Sequence, residues 1–124
     1  MEELSPDDRV RYARHLSLPQ IGESGQSKLK RCRVFCVGAG GLGSPALLYL
    51  AAAGIGHLTV IDDDVIERSN LQRQIMHADD DVGISKAESA MLRLRELNPS
   101  ISIQVYAERL TAENAMNRVQ GHDI

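Results

Sequence analysis

A glycine-rich turn offers the first recognisable chemistry in this sequence. The apolar run at 34–37 ends in a G-x-G-x-x-G motif made by Gly38, Gly40 and Gly43. Because glycine has no Cβ, the backbone N–H groups of such a turn can approach a phosphate closely. Asp62 ends the next apolar run, 22 positions after Gly40, where a carboxylate can accept a hydrogen bond from a ribose hydroxyl. The turn and the aspartate predict a nucleotide site without indicating which nucleotide it binds.

Two cationic residues could distinguish between nucleotides. Arg73 lies in the polar segment after the second apolar run, and Lys86 lies in the first turn of a predicted helix. A lysine there opposes the helix dipole by about 0.3–1 kcal/mol, whereas an opposite charge about 4 Å away near a surface is worth about 4 kcal/mol in gross Coulomb energy. A bound triphosphate would more than offset the dipole term. Spacing alone leaves open the alternative that both side chains are simply solvated.

The elements that must position these residues alternate between helix and strand. The pattern predicts strands at 33–37, 57–61 and 101–106, and helices at 6–16, 26–31, 42–53, 84–97 and 112–120. The polar stretch 62–84 is predicted to be a long loop with short helical turns, and such loops are usually functional. This order predicts an α/β, Rossmann-like three-layer fold with a mostly parallel sheet. The sheet would be incomplete, with about three to four strands, because residues 121–124 are typical of the start of a fourth strand beside the first.

Composition limits the classes of protein to which the chain can belong. Its 124 residues suffice for one domain, and a net charge of −3 argues against nucleic acid or an anionic membrane as partner. No apolar run is long enough to span a membrane, and the acidic N-terminus is not typical of a signal peptide. The two cysteines do not form a disulfide framework, which favours a cytoplasmic location. The four histidines show no metal-ligand spacing, and no metal-binding residue is predicted.

Several motifs occur together in a fixed order along the chain. The most specific is an Asn-Leu-x-Arg-Gln element that is followed, 13 residues after its arginine, by Lys86. The full set comprises Arg11-Tyr12-Ala13-Arg14-His15, Gly38-Ala39-Gly40-Gly41-Leu42-Gly43, Ala53-Gly54-Ile55-Gly56, Asp62-Asp63-Asp64, Ser69-Asn70-Leu71-Gln72-Arg73-Gln74 and Val82-Gly83-Ile84-Ser85-Lys86. From about residue 9 to residue 124, the sequence resembles the N-terminal half of the MoeB/ThiF/HesA adenylyltransferases, relatives of the ubiquitin-activating enzymes.

The resemblance implies ATP with Mg²⁺ as the ligand. Gly41 and its neighbours would lie against the phosphates, Asp62 would accept from the ribose hydroxyls, and Arg14 would reach the partner's ATP site across a homodimer interface. Catalytic roles are implied for Arg14, Arg73 and Lys86. Nucleotide contacts are implied for Gly38, Gly40, Gly41, Gly43, Asp62, Asp64, Asn70, Arg73, Gln74 and Lys86.

The resemblance also implies a reaction and a division of the chain. The C-terminal glycine carboxylate of a ubiquitin-like sulfur carrier would attack the α-phosphate of ATP, giving an acyl-adenylate and pyrophosphate. Residues 1–31 would be a helical arm contributing to the dimer interface, and residues 32–124 an ATP-binding half-domain. The family's second half carries a further Asp that organises magnesium, a zinc site built from Cys-x-x-Cys pairs, and the carrier groove. No such elements occur in these 124 residues. We therefore expect this chain to be part of a larger protein and to be inactive by itself.

Two other classes remain open. The glycine turn and Asp62 are also typical of an NAD-binding oxidoreductase domain, although Arg73 and Lys86 would then have no role. A non-catalytic nucleotide-binding or dimerisation module would need only the turn. Among adenylyltransferases, the sequence does not distinguish a molybdenum cofactor pathway from a thiamine pathway.

Overall fold

A computed structural model describes residues 4–124 and shows helices packed around one three-stranded sheet. The strands β1 (Arg33–Val37), β2 (His57–Ile61) and β3 (Ser102–Tyr106) lie in that order and are all parallel. The helices are α1 (Pro6–Arg11), α2 (Ala13–Leu16), α3 (Gly22–Arg31), α4 (Gly43–Ala53), α5 (Lys86–Leu97) and α6 (Ala115–Val119). None of the helices within residues 4–124 is long and apolar enough to cross a membrane. The predicted α/β, Rossmann-like fold is confirmed.

The sheet is the centre of the molecule because its middle strand is buried on both faces. In β2, every residue from Leu58 to Ile61 is at most 5% exposed. The side chains at Val34, Leu58 and Ile103 share one register position and join the core under α4 and α5. The opposite face is partly covered by the C-terminal segment, where the Arg118 guanidinium lies 4.1 Å from the centre of the Tyr106 ring. The sheet therefore lies between α4 and α5 on one face and the C-terminal segment on the other.

Local residues determine where α4 ends and where α5 begins. Gly54 ends α4 with φ of +94°, a conformation that side chains disfavour. Ser85 precedes α5, and its hydroxyl accepts a hydrogen bond from the Glu88 N–H at 3.1 Å. The helix predicted at 42–53 therefore agrees with α4 to within one residue, whereas the helix predicted at 84–97 begins two residues later, after the Ser85 cap.

The predicted N-terminal helices are divided differently in the structure. The helix predicted at 6–16 is interrupted at Tyr12, whose buried hydroxyl accepts a hydrogen bond from the Asn98 side chain at 2.7 Å. Tyr12, with φ of −103° and ψ of 19°, departs from the helical conformation between α1 and α2. The helix predicted at 26–31 begins earlier, at Gly22, so Gly25 lies inside α3. The division into an arm at 1–31 and a half-domain at 32–124 stays a prediction.

The C-terminal residues lie along the free edge of β1. The Asp123 N–H donates to the Arg33 carbonyl oxygen at 2.7 Å, and the Phe35 N–H donates to the Ile124 carbonyl oxygen at 2.8 Å. This alternation is typical of parallel pairing. The last helix is shorter than predicted and begins at Ala115, because Asn114 and Thr111 form a separate turn before it.

Candidate functional site

The glycine turn joins β1 directly to the start of α4. Gly38 has φ of +101°, which turns the chain at the end of the strand. A Cβ on Gly43 would lie 2.2 Å from the Gly38 carbonyl oxygen, so only glycine allows the helix to begin so close to the strand. The turn is therefore shaped by two glycines with different physical tasks.

Several backbone N–H groups at this turn have no acceptor within residues 4–124. The Ala39 N–H donates to Asp62 Oδ2 at 2.9 Å, and the Ser44 N–H donates to the Gly40 carbonyl oxygen at 2.9 Å. Between these two, the residues that the structure describes supply no acceptor for the backbone N–H groups. Free N–H groups at the start of an 11-residue helix form an anion-binding arrangement.

Asp62 connects the glycine turn to the loop that follows β2. Its Oδ2 accepts from Ala39, while its Oδ1 accepts from the Asp64 N–H at 2.8 Å. The carboxylates of Asp62, Asp63 and Asp64 offer oxygens within 4.8 Å of one another. A cavity of about 230 Å³ opens at this edge of the sheet, lined by Val37, Gly38, Ile61, Asp62, Asp63, Asp64, Glu108, Arg109 and Leu110.

Lys86 is a buried cation linked to the same loop. It is only 6% exposed, and its backbone N–H donates to the Asp64 carbonyl oxygen at 3.0 Å. Its ammonium lies 3.5 Å from Asp64 Oδ2, longer than a typical charge-assisted hydrogen bond. Hydrogen bonds and an ion pair thus connect the glycine turn to Asp62, Asp64 and Lys86. Within this set the Lys86 ammonium is incompletely paired.

Arg73 lies against the outer side of the glycine turn. A Cβ on Gly41 would lie 3.9 Å from the Cδ and Nε atoms of Arg73. The guanidinium donates to the Ser69 carbonyl oxygen at 3.3 Å and is otherwise exposed. Asn70 shapes this short helical turn, since its side-chain oxygen accepts from the Glu67 N–H at 2.9 Å. The predicted neighbourhood of the arginine and the glycine turn is therefore present in the structure.

Gln74 reaches the inner side of the same turn. It is 4% exposed, and a Cβ on Gly40 would lie 3.6 Å from its Nε2. Among the described residues, its Oε1 is the one buried side-chain oxygen or nitrogen without a hydrogen-bond partner. Leaving such an atom unpaired costs about 1–3 kcal/mol, so Gln74 holds an unsatisfied acceptor beside the turn.

His77 supports the turn from below, a role that sequence reasoning missed. Its Nε2 lies 2.8 Å from the Ala39 carbonyl oxygen, and its Nδ1 lies 2.8 Å from the Ser89 hydroxyl. Burial lowers the pKa of His77, even though the Ala39 hydrogen bond and nearby carboxylates favour protonation. The one sequence signal was its position three residues after Gln74, and that spacing does not reveal a partner 38 residues away.

Arg14 is the predicted site residue that lies apart. It is exposed on α2 and precedes the glycine turn by 24 residues, and within residues 4–124 no hydrogen bond or ion pair joins its side chain to another predicted site residue. The structure therefore brings together the glycine turn, the two aspartates, Asn70, Arg73, Gln74 and Lys86, but not Arg14.

The fold and this site define a class: a Rossmann-like α/β domain with an anion-binding glycine turn and neighbouring cations. A model of the ThiF family matches residues 12–124, and the chain belongs to that family. The family that the motifs predicted is thereby confirmed.

The curated relatives are longer proteins. The chain is 53% identical over 114 residues to the SAMP-activating enzyme E1 of Haloferax volcanii, covering 92% of the chain and 42% of that relative. It is 52% identical over 121 residues to the adenylyltransferase and sulfurtransferase MOCS3 of Drosophila sechellia, covering 98% of the chain and 27% of that relative. The chain thus spans less than half the length of either protein.

Solved structures of similar proteins share the fold. The E. coli tRNA N6-threonylcarbamoyladenosine dehydratase TcdA, in complex with AMP, superimposes with a TM-score of 0.91 at 32% identity, covering 98% of this chain and 49% of that one. E. coli MccB with ATP superimposes with a TM-score of 0.76 at 35% identity, covering 88% and 33%. Both relatives were solved with an adenine nucleotide.

Proposed function

We propose that this chain is the ATP-binding portion of an adenylyltransferase that activates the C-terminal glycine of a ubiquitin-like sulfur carrier. The observation that carries the proposal is that Arg73 lies against a turn with free N–H groups, while the incompletely paired Lys86 is linked to the same turn through Asp64 and Asp62. Dinucleotide sites hold a pyrophosphate with the helix terminus and turn alone. Two added cations suit the larger negative charge of a triphosphate.

Each site residue then has a task that matches its surroundings. The free N–H groups near Gly41 would bind phosphate oxygens, and Asp62 would accept from the ribose hydroxyls with its remaining lone pairs. The unpaired oxygen of Gln74 would accept from a hydroxyl or from water on Mg²⁺, which would enter with ATP. Arg73 and Lys86 would compensate the charge that grows as one anion attacks another, a large term in such reactions.

A partner subunit would complete the site. Arg14 is exposed on α2 and, within residues 4–124, has no hydrogen bond or ion pair with the other site residues, which supports a role in trans across a homodimer interface formed by the N-terminal arm. An arginine supplied in trans is worth about 10³–10⁵ in related phosphoryl transfers. Since the chain spans 27–42% of its relatives MOCS3 and the SAMP-activating enzyme, we propose that the adenylation step itself requires the longer protein.

Calorimetric titration with Mg-ATP and, separately, with NAD tests the nucleotide. Lys86→Met should weaken ATP binding at least about 30-fold, because removing a buried charge partner typically costs about 2–5 kcal/mol. Arg73→Ala should weaken it less, since that side chain is exposed. Arg95→Ala, an exposed arginine in the last turn of α5, is the matched control and should leave affinity unchanged.

Binding of NAD but not ATP would overturn the proposal in favour of an oxidoreductase domain. Pyrophosphate exchange with a carrier protein separates binding from chemistry. The 124-residue chain should bind ATP without exchange, whereas robust exchange by this chain would contradict the need for further residues.

A further inference from the structure

The carbonyl group of Ala39 is held from inside the protein. His77 Nε2 lies 2.8 Å from its oxygen, and the Ser44 hydroxyl donates to the same oxygen at 3.2 Å. The N–H of the same residue donates to Asp62. Ala39 is itself fully buried, so the middle of the glycine turn is fixed by long-range hydrogen bonds as well as by glycine geometry.

The direction of the Ala39 carbonyl also sets the direction of the next N–H group. The carbonyl group and the N–H group of one trans peptide lie in the same plane and point in opposite directions. Because the Ala39 oxygen points inward to His77, the Gly40 N–H points outward. That N–H is among those for which residues 4–124 supply no acceptor.

Hydrogen-bond chemistry determines which imidazole nitrogen carries the hydrogen. A carbonyl oxygen only accepts, so Nε2 of His77 must be the donor to Ala39. Burial lowers the pKa of His77, which favours the neutral ring, in which Nδ1 carries no hydrogen and lies as an acceptor 2.8 Å from the Ser89 hydroxyl. Asp81 Oδ2 lies 3.2 Å from the same hydroxyl, and because the hydroxyl carries one hydrogen, it donates to only one of these two acceptors at a time.

We propose that His77 is a positioning residue that aims the Gly40 N–H at a phosphate of the bound nucleotide. The imidazole touches no ligand and acts through the Ala39–Gly40 peptide. Without its Nε2 donor, the peptide loses the shorter of its two inward hydrogen bonds and can rotate away. The phosphate part of this inference rests on the proposed function, whereas the orientation of the peptide does not.

The ligand-free protein tests the orientation first. Long-range ¹H–¹⁵N NMR spectra should show His77 at neutral pH with the hydrogen on Nε2, and the Gly40 amide should be rigid in ¹⁵N relaxation. A hydrogen on Nδ1 would overturn the proposal, because Nε2 could not then donate to Ala39. This readout stays informative even if ATP does not bind and the proposed function fails.

Two substitutions separate donation from packing. In His77→Gln the side-chain Nε2 reaches about as far as the imidazole Nε2, whereas in His77→Asn the amide stops near the Nδ1 position. His77→Asn should mobilise the Gly40 amide and weaken Mg-ATP binding by about tenfold, the upper range for one hydrogen bond. His77→Gln should restore both within about threefold.

Equal weakening in the two variants would overturn the proposal and indicate a packing role. Wild-type affinity in His77→Asn would also overturn it. If His77→Asn fails to fold, the tautomer and the affinity of His77→Gln still decide the matter, since a Gln variant that folds and binds more than tenfold weaker contradicts restoration.

Discussion

Lys86 and His77 are buried side chains that respond to the site's charges in different ways. The Lys86 ammonium has a carboxylate oxygen of Asp64 at 3.5 Å, while His77 makes hydrogen bonds through both ring nitrogens. Burial lowers the pKa of His77, and the nearby Lys86 charge lowers it further, whereas Asp81 and Asp62 act in the opposite direction. The neutral imidazole is therefore the form that the folded protein prefers.

This preference predicts a pH dependence of stability. In the unfolded chain the pKa of His77 is near the ordinary histidine value of about 6.5, and in the folded protein burial lowers it. In the window below 6.5 the unfolded state binds more protons, so the free energy of unfolding should fall as pH falls and level off below the folded pKa. Urea unfolding at pH 8, 6.5 and 5 should show this loss in the wild type but not in His77→Gln.

The titration of Asp8 lies outside the pH window in which His77 titrates. Burial raises its pKa, but hydrogen bonds from Lys30 and Ser5 outweigh burial and hold the pKa below 3.8, so its contribution is lost only in stronger acid. Identical slopes for the wild type and His77→Gln between pH 8 and 5 would contradict the assignment to His77.

At the scale of elements, the glycine turn and α4 behave as one unit. Two of its glycines meet different neighbours: a Cβ on Gly43 would strike backbone, whereas a Cβ on Gly41 would make ordinary contact with the flexible Arg73 side chain. Backbone cannot yield without moving the helix or the strand, but a side chain can.

Gly43→Ala should therefore lower the free energy of unfolding by about 2 kcal/mol or more, in the range of core overpacking. Gly41→Ala should change it by less than about 0.5 kcal/mol, as surface substitutions usually do. Chemical unfolding of both variants measures the difference. Equal destabilisation would show that helix and strand are not packed as closely as the structure indicates.

At the scale of the whole molecule, Asn98 ties the N-terminal helices to the core. It is fully buried, and its side-chain nitrogen donates to the Tyr12 hydroxyl at 2.7 Å and to the Ala51 carbonyl oxygen at 2.8 Å. The Arg11 guanidinium also donates to the Leu97 carbonyl oxygen at 3.2 Å. The junction of α1 and α2 therefore depends on the end of α5.

Asn98→Ala should lower the free energy of unfolding by about 2–4 kcal/mol, because it leaves two buried partners unpaired. Tyr12→Phe removes one hydrogen bond and should cost about 1 kcal/mol. Hydrogen exchange should accelerate in α1 and α2 more than in β2. Unchanged protection of α1 and α2 in Asn98→Ala would contradict this coupling.

The strands and the crossover helices could be predicted because their signals are local. Continuous apolar residues marked β2, Gly54 marked the end of α4, and Ser85 marked the start of α5. The helix predicted through Tyr12 was wrong at that residue, whose hydroxyl pairs with Asn98, 86 positions away, a contact that no local pattern reveals. Within the site, Arg73 and Lys86 were found by spacing, but His77 was not.

The sequence by itself determined the order of elements and the family, because periodicity, caps and motif spacing depend on residues close together in the chain. It also determined that a phosphate could approach the glycine turn, since the missing Cβ is a property of glycine itself. Only the tertiary structure decided that Gln74 lies against Gly40 with an unpaired oxygen and that His77 holds Ala39. Both depend on how the loop after β2 crosses the turn, and a hydrogen bond between distant residues exists only once the packed chain brings donor and acceptor within about 3 Å.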